Sequence, residues 1–250
     1  MTTFQGARSA SEEGGPTSLA LRAPGYNMYH QSLGVFAKEP RPGHVKSRLA
    51  AATSPEWAAW IADAFLRDTI DRLAQVEAQR FLLYSPEDSK EYFAALAGNQ
   101  FQLIPQADGD LGRRMEQFIV GQFQAGAQRI VIVGSDSPSL PPEWIEDAFR
   151  KLDEANLVIG PATDGGYYLL GCAGSALPIF DNIAWGSEKV LSETISRLSD
   201  AAWRIALLPP WYDVDSVADL WALKGHIAAL RRAGTDPGLP HTEKLLQDFS

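Results

Sequence analysis

Five segments of this chain carry side chains suited to holding phosphates or cations, and each closely follows a run of apolar residues. The most informative is Gly134-Ser135-Asp136-Ser137-Pro138-Ser139-Leu140, directly after the apolar residues 130–133. An aspartate there, flanked by small residues that let a ligand approach, suits a metal ion facing a diphosphate, with Ser135 beside it. The competing use of Asp136 or Ser137 is to cap the turn that follows. Later, Trp211-Tyr212-Asp213-Val214-Asp215-Ser216 sets two carboxylates at alternate positions of an extended stretch. Asp213 and Asp215 then project to one side and can share a cation, while Asp215 is also a candidate cap for the last long helix.

The first loop reads Lys38-Glu39-Pro40-Arg41-Pro42-Gly43-His44-Val45-Lys46-Ser47-Arg48. Two prolines and Gly43 fix a turn, and Lys46 and Arg48 at the entrance to a helix can meet phosphates together with backbone N–H groups. It is not a Walker loop, because Val45 stands where that motif requires glycine before the lysine. The plain alternative is a proline-stiffened surface loop with solvated cations. In Gln106-Ala107-Asp108-Gly109-Asp110-Leu111-Gly112-Arg113-Arg114, Arg114 is a candidate anion ligand and Asp110 reads equally well as an N-cap. The segment Thr163-Asp164-Gly165-Gly166 is either a tight hairpin turn or the place where Asp164 serves as a general base. Tyr167 and Tyr168, next in line, point to opposite faces of a strand, so at most one of them is expected to line a pocket. Trp185 is either a stacking surface for a ring or a core residue. His30, His44, His226 and His241 have no zinc spacing, and no serine sits in a nucleophile elbow.

These segments need a scaffold, and the pattern between them supplies one. Strand-like runs are expected at 33–37, 80–84, 101–104, 129–133, 156–159, 167–170 and 204–208, alternating with amphipathic helices. Helix starts are expected at Ser54-Pro55, at Pro141-Pro142 and at Ser187 before Glu188. Ligands of open α/β sheets bind beyond the carboxyl ends of the strands, where the unusual residues of this chain fall.

The chain has 250 residues with 45% apolar and 21% charged side chains, the composition of a globular protein with a substantial core. Residues 1–30 are poor in large apolar side chains and read as a disordered tail; Met28 is a candidate alternative start. Residues 31–230 read as one domain, and 231–250 as a C-terminal extension. A net charge of −9 argues against a nucleic-acid binder, though a cation between carboxylates and phosphates lets an acidic site take an acidic ligand. Cys172 is the only cysteine, so no internal disulfide or cysteine-rich zinc site forms. With no apolar run long enough for a membrane span and no secretory signal, the expected location is cytoplasmic.

Taken in order, FAKEPRPGHVKSRLA, GDLGRRM, VGSDSPSLP, GPATDGGYYLLG, WGSEKVL and DVDSVADL resemble the bacterial DUF2064 group of glycosyltransferase-like proteins. That group is related to the 2-phospho-L-lactate guanylyltransferases and sometimes linked to arsenosugar biosynthesis. The resemblance spans about residues 33–224. It implies a single GT-A, Rossmann-like α/β domain with a mostly parallel mixed sheet flanked by helices. It further implies that the loop from Lys38 to Arg48 handles the nucleotide, that Asp136 takes metal and phosphates, and that Asp213 or Asp215 completes the metal site. The chain departs from the Asp-x-Asp motif of many GT-A enzymes, since Ser137 and Pro138 follow Asp136, and from the glycine-rich first loop of nucleotidyltransferases.

The expected activity is therefore metal-dependent transfer of a sugar from a nucleoside diphosphate sugar to a small acceptor. Asp136 and Asp164 would be catalytic. Lys38, Gly43, Lys46, Arg48, Arg114, Ser135 and Asp136 would bind the nucleotide, and Asp136, Asp213 and Asp215 would hold Mg or Mn. Two alternatives stand beside it: nucleotidyl transfer from a nucleoside triphosphate to a phosphorylated small molecule with release of pyrophosphate, and a non-catalytic accessory protein that binds nucleotide sugars.

Overall fold

The computed structural model describes residues 30–198, 203–247 and 249. The tail read over 1–30, including Met28, lies outside them apart from His30. All seven expected strands form one sheet: β1 (Gln31–Lys38), β2 (Gln79–Ser85), β3 (Gln102–Pro105), β4 (Arg129–Gly134), β5 (Leu157–Pro161), β6 (Tyr167–Ala173) and β7 (Ile205–Leu207), in the order β3-β2-β1-β4-β6-β5-β7. Only β6 runs against its neighbours, pairing antiparallel with β4 and β5, so the sheet is mixed and mostly parallel. Its reversal comes from the hairpin at Asp164-Gly165-Gly166, where Asp164 Oδ1 accepts from Gly166 N at 2.9 Å. That Asx turn is the structural use weighed for this segment, and it leaves the other carboxylate oxygen free of hydrogen bonds among the described residues.

Among the described residues there are eight α-helices: α1 (Ser47–Ala52), α2 (Pro55–Leu73), α3 (Lys90–Ala97), α4 (Leu111–Gln124), α5 (Pro142–Lys151), α6 (Val190–Ser196), α7 (Val217–Arg232) and α8 (Pro240–Leu246). Alternation along the strands divides the core. Leu33, Val35, Leu82, Val131 and Val133 pack against α2, α3 and α5. Phe36, Phe81, Ile130, Ile132 and Leu170 pack against Met115, Phe118 and Ile119 of α4. A third cluster joins Leu49 of α1 to Phe65 of α2, Val214, and Leu220 and Leu223 of α7, with Leu239 and Leu246 from the α8 region. Asp68, fully buried on α2, accepts from the backbone N–H groups of His241 and Thr242 and so ties down the start of α8.

Several helix starts follow the sequence. Ser54 caps α2 by accepting from Trp57 N, Pro142 opens α5, and Asp110 caps α4 by accepting from Arg113 N. Two differ. Ser187 accepts from Lys189 N, but α6 begins only at Val190. The cap of α7 is Ser216, in a reciprocal capping box with Asp219, rather than Asp215. With Ser216 supplying the cap, the Asp215 carboxylate is available for a distant partner.

Candidate functional site

β1 is flanked by β2 on one side and β4 on the other, so the chain leaves in opposite directions from their carboxyl ends and opens a crevice there. The crevice is a cavity of about 510 Å³. Phe36, Ile132 and Gly134 line its floor, Arg48, Asp136, Asp213 and Asp215 one part of the wall, and Asp164, Tyr167, Trp185 and Glu188 another.

Asp136 sits at the tip of β4, its side chain 55% exposed. The 211–215 segment reaches it by continuing past β5: Trp211 N donates to Pro161 O at 3.0 Å, and Val214 N to Asp136 O at 2.9 Å. A backbone bond thus fixes the Asp213–Asp215 segment beside Asp136 although the two lie far apart in sequence. Ser137, buried behind Asp136, donates its hydroxyl to Asp213 Oδ1. The turn-capping role weighed for the Asp136 and Ser137 side chains is not seen. This Ser137–Asp213 pair is not readable from the sequence, because a bond across 76 residues leaves no local pattern.

Lys46 is the hub of the charge arrangement. Its ammonium lies 2.5 Å from Asp136 Oδ1 and 2.9 Å from Asp215 Oδ1, and its side chain is only 4% exposed. Burial works against the charged ammonium, but the negative charges of Asp136 and Asp215 prevail and hold its pKa above the ordinary lysine value. The backbone of Lys46 is left-handed, with φ 47° and ψ 50°. For a non-glycine residue that conformation costs about 1–2 kcal/mol, offset here by two ion pairs and by the anchoring of Leu49 in the third core cluster. Asp213 faces the opposite balance. Burial pushes its carboxyl up to about 6; the Ser137 hydrogen bond and Lys46 oppose the rise, while the charges of Asp136 and Asp164 add to it.

The remaining expected residues divide. Arg48 lines the cavity and has no ion-pair partner among the described residues. Lys38 donates to His44 O at 2.8 Å and Gly43 turns the loop with φ 79°, so both shape the first loop without lining the cavity. Arg114 donates to Gly109 O and to Gln106 Oε1, and Gln106 in turn caps the carbonyls of Ala37 and Leu83 at the ends of β1 and β2. Neither Arg114 nor Ser135 lines the cavity. Tyr167 and Tyr168 pack on opposite faces of the sheet as expected, but both are among the lining residues, where at most one was expected, because the crevice opens at the strand end and is reached from either face. Trp185 packs against the second core cluster, the core role, and also lines the cavity.

The donor set decides whether Mg or Mn fits. Among the described residues no three acidic, histidine or cysteine side chains gather as a metal-binding group, so the protein alone forms no cage. Asp136 and Asp213 each keep one oxygen without a hydrogen-bond partner among the described residues. One or two such carboxylates, completed by phosphate oxygens of a ligand, match the way Mg is commonly held.

Comparison with known proteins fits this geometry. The family model described as "Uncharacterized protein conserved in bacteria (DUF2064)" matches residues 69–187. The crystal structure of a candidate nucleotide-diphospho-sugar transferase from Desulfovibrio desulfuricans G20 is 34% identical, with a TM-score of 0.78 over 89% of this chain and 99% of that one. The chain belongs to the DUF2064 family. The family match encloses Asp136, Asp164 and Trp185 and ends before Asp213. A 2-phospho-L-lactate guanylyltransferase of Methanothermobacter thermautotrophicus is 26% identical over 162 residues, 61% of this DUF2064 chain and 70% of the relative. A cytidylyltransferase of Leptospira borgpetersenii, 14% identical with a TM-score of 0.52 over 80% of this chain and 87% of that one, shares the fold. The DUF2064 chain thus has the fold of nucleotidyl- and nucleotide-sugar transferases. No described helix is long and apolar enough to cross a membrane.

Proposed function

We propose that this protein transfers a sugar from a nucleoside diphosphate sugar to a small acceptor, with a divalent cation, Mg or Mn, at Asp136 and Asp213. The observation that carries the reading is the convergence of Asp136, Asp213 and Asp215, from two distant segments, on one cavity at the carboxyl edge of β1 and β4. The 34% identity to the candidate nucleotide-diphospho-sugar transferase supports it.

Bound there, the cation would supply Lewis-acid stabilisation of the charge that develops on the diphosphate as the sugar leaves. Lys46 keeps Asp136 and Asp215 oriented and neutralises part of their charge, so an anionic ligand is not repelled. Arg48, with no carboxylate partner among the described residues, is the side chain offered to a phosphate. Asp164, held by Gly166 N through one oxygen, presents the other as acceptor for a hydroxyl proton. Asp215, paired with Lys46 through one oxygen as Asp136 is, keeps its second oxygen for the same cation.

Asp136→Ala should abolish Mg-dependent binding of nucleoside diphosphates in a calorimetric titration, and unchanged affinity would contradict the assignment. Nucleotidyl transfer is the second reading, favoured by the similarity to a guanylyltransferase. Pyrophosphate release from a nucleoside triphosphate and a phosphorylated acid would select it over sugar transfer.

A further inference from the structure

One wall of the cavity is lined by Trp185, Gly186, Ser187, Glu188 and Val190, and two glycines let that segment approach so closely. Leu191 N donates to Gly165 O at 2.9 Å. Gly165 has φ +93°, and a Cβ on it would fall 2.2 Å from Glu188 O. A Cβ on Gly112, in the first turn of α4, would fall 2.4 Å from Cζ2 of Trp185, so the indole edge rests on bare backbone. Ala184 N is held by Glu193 Oε2 at 2.7 Å. The GDLGRRM, DGG and WGSEK segments therefore meet, and their meeting holds the Trp185 ring against Gly112 and the backbone of Glu188 against Gly165.

This wall presents a defined chemistry. Trp185, Tyr167, Met115 and the partly exposed Leu111 supply an apolar surface, and Asp164 and Glu188 supply two carboxylates. Glu188 has no hydrogen bond or ion pair through its side chain among the described residues. Among the described residues Arg48 is the only cation lining the cavity, and Lys189, the one lysine of the segment, is exposed outside the lining. A phosphate placed here would face two carboxylates with no compensating charge, an arrangement that costs binding. Hydroxyl groups instead donate to carboxylates, and the C–H face of a ring stacks on an indole.

We propose that this wall is the acceptor subsite and that it takes a neutral polyhydroxylated molecule without a phosphate. The inference rests on the transferase reading above and narrows it, setting this chain apart from an enzyme whose acceptor is a phosphorylated acid. Trp185 stacks on the acceptor, Glu188 and Asp164 accept from its hydroxyls, and the first loop with Arg48 stays on the donor side. The sugar carried by the donor has the same hydroxyl chemistry, so the test must tell a free acceptor from the donor's own sugar.

The test is saturation-transfer NMR on the full chain with Mg. The neutral probes are glycerol, glucose and inositol, the phosphorylated probes glycerol 3-phosphate and glucose 6-phosphate, and UDP and GDP are titrated in parallel. The expected result is that at least one neutral probe binds more tightly than the phosphorylated probes and still binds when UDP or GDP is saturating. Trp185→Ala should weaken it roughly tenfold and Trp185→Phe by less. Glu188→Lys, an exposed change that leaves packing alone, should shift preference toward the phosphorylated probes. Tighter binding of phosphorylated probes to the unmodified protein overturns the proposal, as does indifference to Glu188→Lys. Displacement of the neutral probe by UDP-glucose but not by UDP gives the wall to the donor sugar and overturns the acceptor assignment. Nucleotide binding without any polyol binding overturns this inference alone, and loss of both overturns the transferase reading with it.

Discussion

Asp213 should make the ligand-free protein less stable than it could be. Its carboxyl ionises near 6 instead of the ordinary 3.8, chiefly because it is buried and further because Asp136 and Asp164 are charged nearby. At 1.36 kcal/mol per pKa unit, holding it ionised costs the fold about 3 kcal/mol. The sign follows from the direction of the shift: the folded state holds the proton more tightly than the unfolded chain. The cost is therefore absent below pH about 4, grows between about 4 and 6, and is complete above 6. Asp213→Asn keeps an oxygen for the Ser137 hydroxyl and removes the charge. Urea unfolding should find the variant more stable by about 2–3 kcal/mol at pH 8, with an unchanged m-value and a gap that closes toward pH 4. In a chain of this length the gain corresponds to a rise in Tm of about 5–10 °C. A variant equal to or less stable than the parent at pH 8, or a gap that does not change with pH, would show that the buried Asp213 charge carries no such cost. Such a cost persists in a protein when the charge serves a ligand, so the same variant should lose Mg-dependent nucleotide binding while gaining stability.

Two further substitutions test the supports of the site. Lys46→Met leaves Asp136 and Asp215 without their counter-ion; breaking a fully buried pair costs about 3–5 kcal/mol, but these carboxylates are 55% and 42% exposed, so a loss of about 1–2 kcal/mol is expected in urea unfolding, partly restored by adding Asp136→Asn. Gly112→Ala should lower Tm even though alanine favours helix by about 0.5–1 kcal/mol, because its Cβ collides with the Trp185 indole and overpacking costs about 1–3 kcal/mol; a higher Tm would show that the indole does not rest on that glycine.

The limits of the sequence are physical and can be followed residue by residue. The central strands were legible because a strand buried on both faces must be a short apolar run, as residues 130–133 and 157–159 are, whereas the edge strands β3 and β7 stay partly exposed. The hairpin of β5 and β6 was also legible, since Asp-Gly-Gly suits an Asx turn with a following positive φ. Position along the chain then placed Asp136, Asp164, Asp213 and Asp215 at strand ends, and all four line one cavity. Pairing was out of reach, because it depends on which strand ends lie side by side. Lys46 and Arg48 look interchangeable as neighbouring cations at a helix entrance. Yet the left-handed turn at Lys46 sends one into an ion-pair network 169 residues away from its own position while Arg48 lines the open cavity. The cap of α7 shows the same dependence on a small local choice. The Ser216–Asp219 box was readable as S-x-x-D, and it is this box that leaves Asp215 for Lys46. Which acidic group is neutralised by protein and which awaits a ligand follows from those two local geometries. Asp136 and Asp215 share an ammonium, whereas Asp213, with only a serine hydroxyl, carries the raised pKa of a carboxylate lacking a cation of its own.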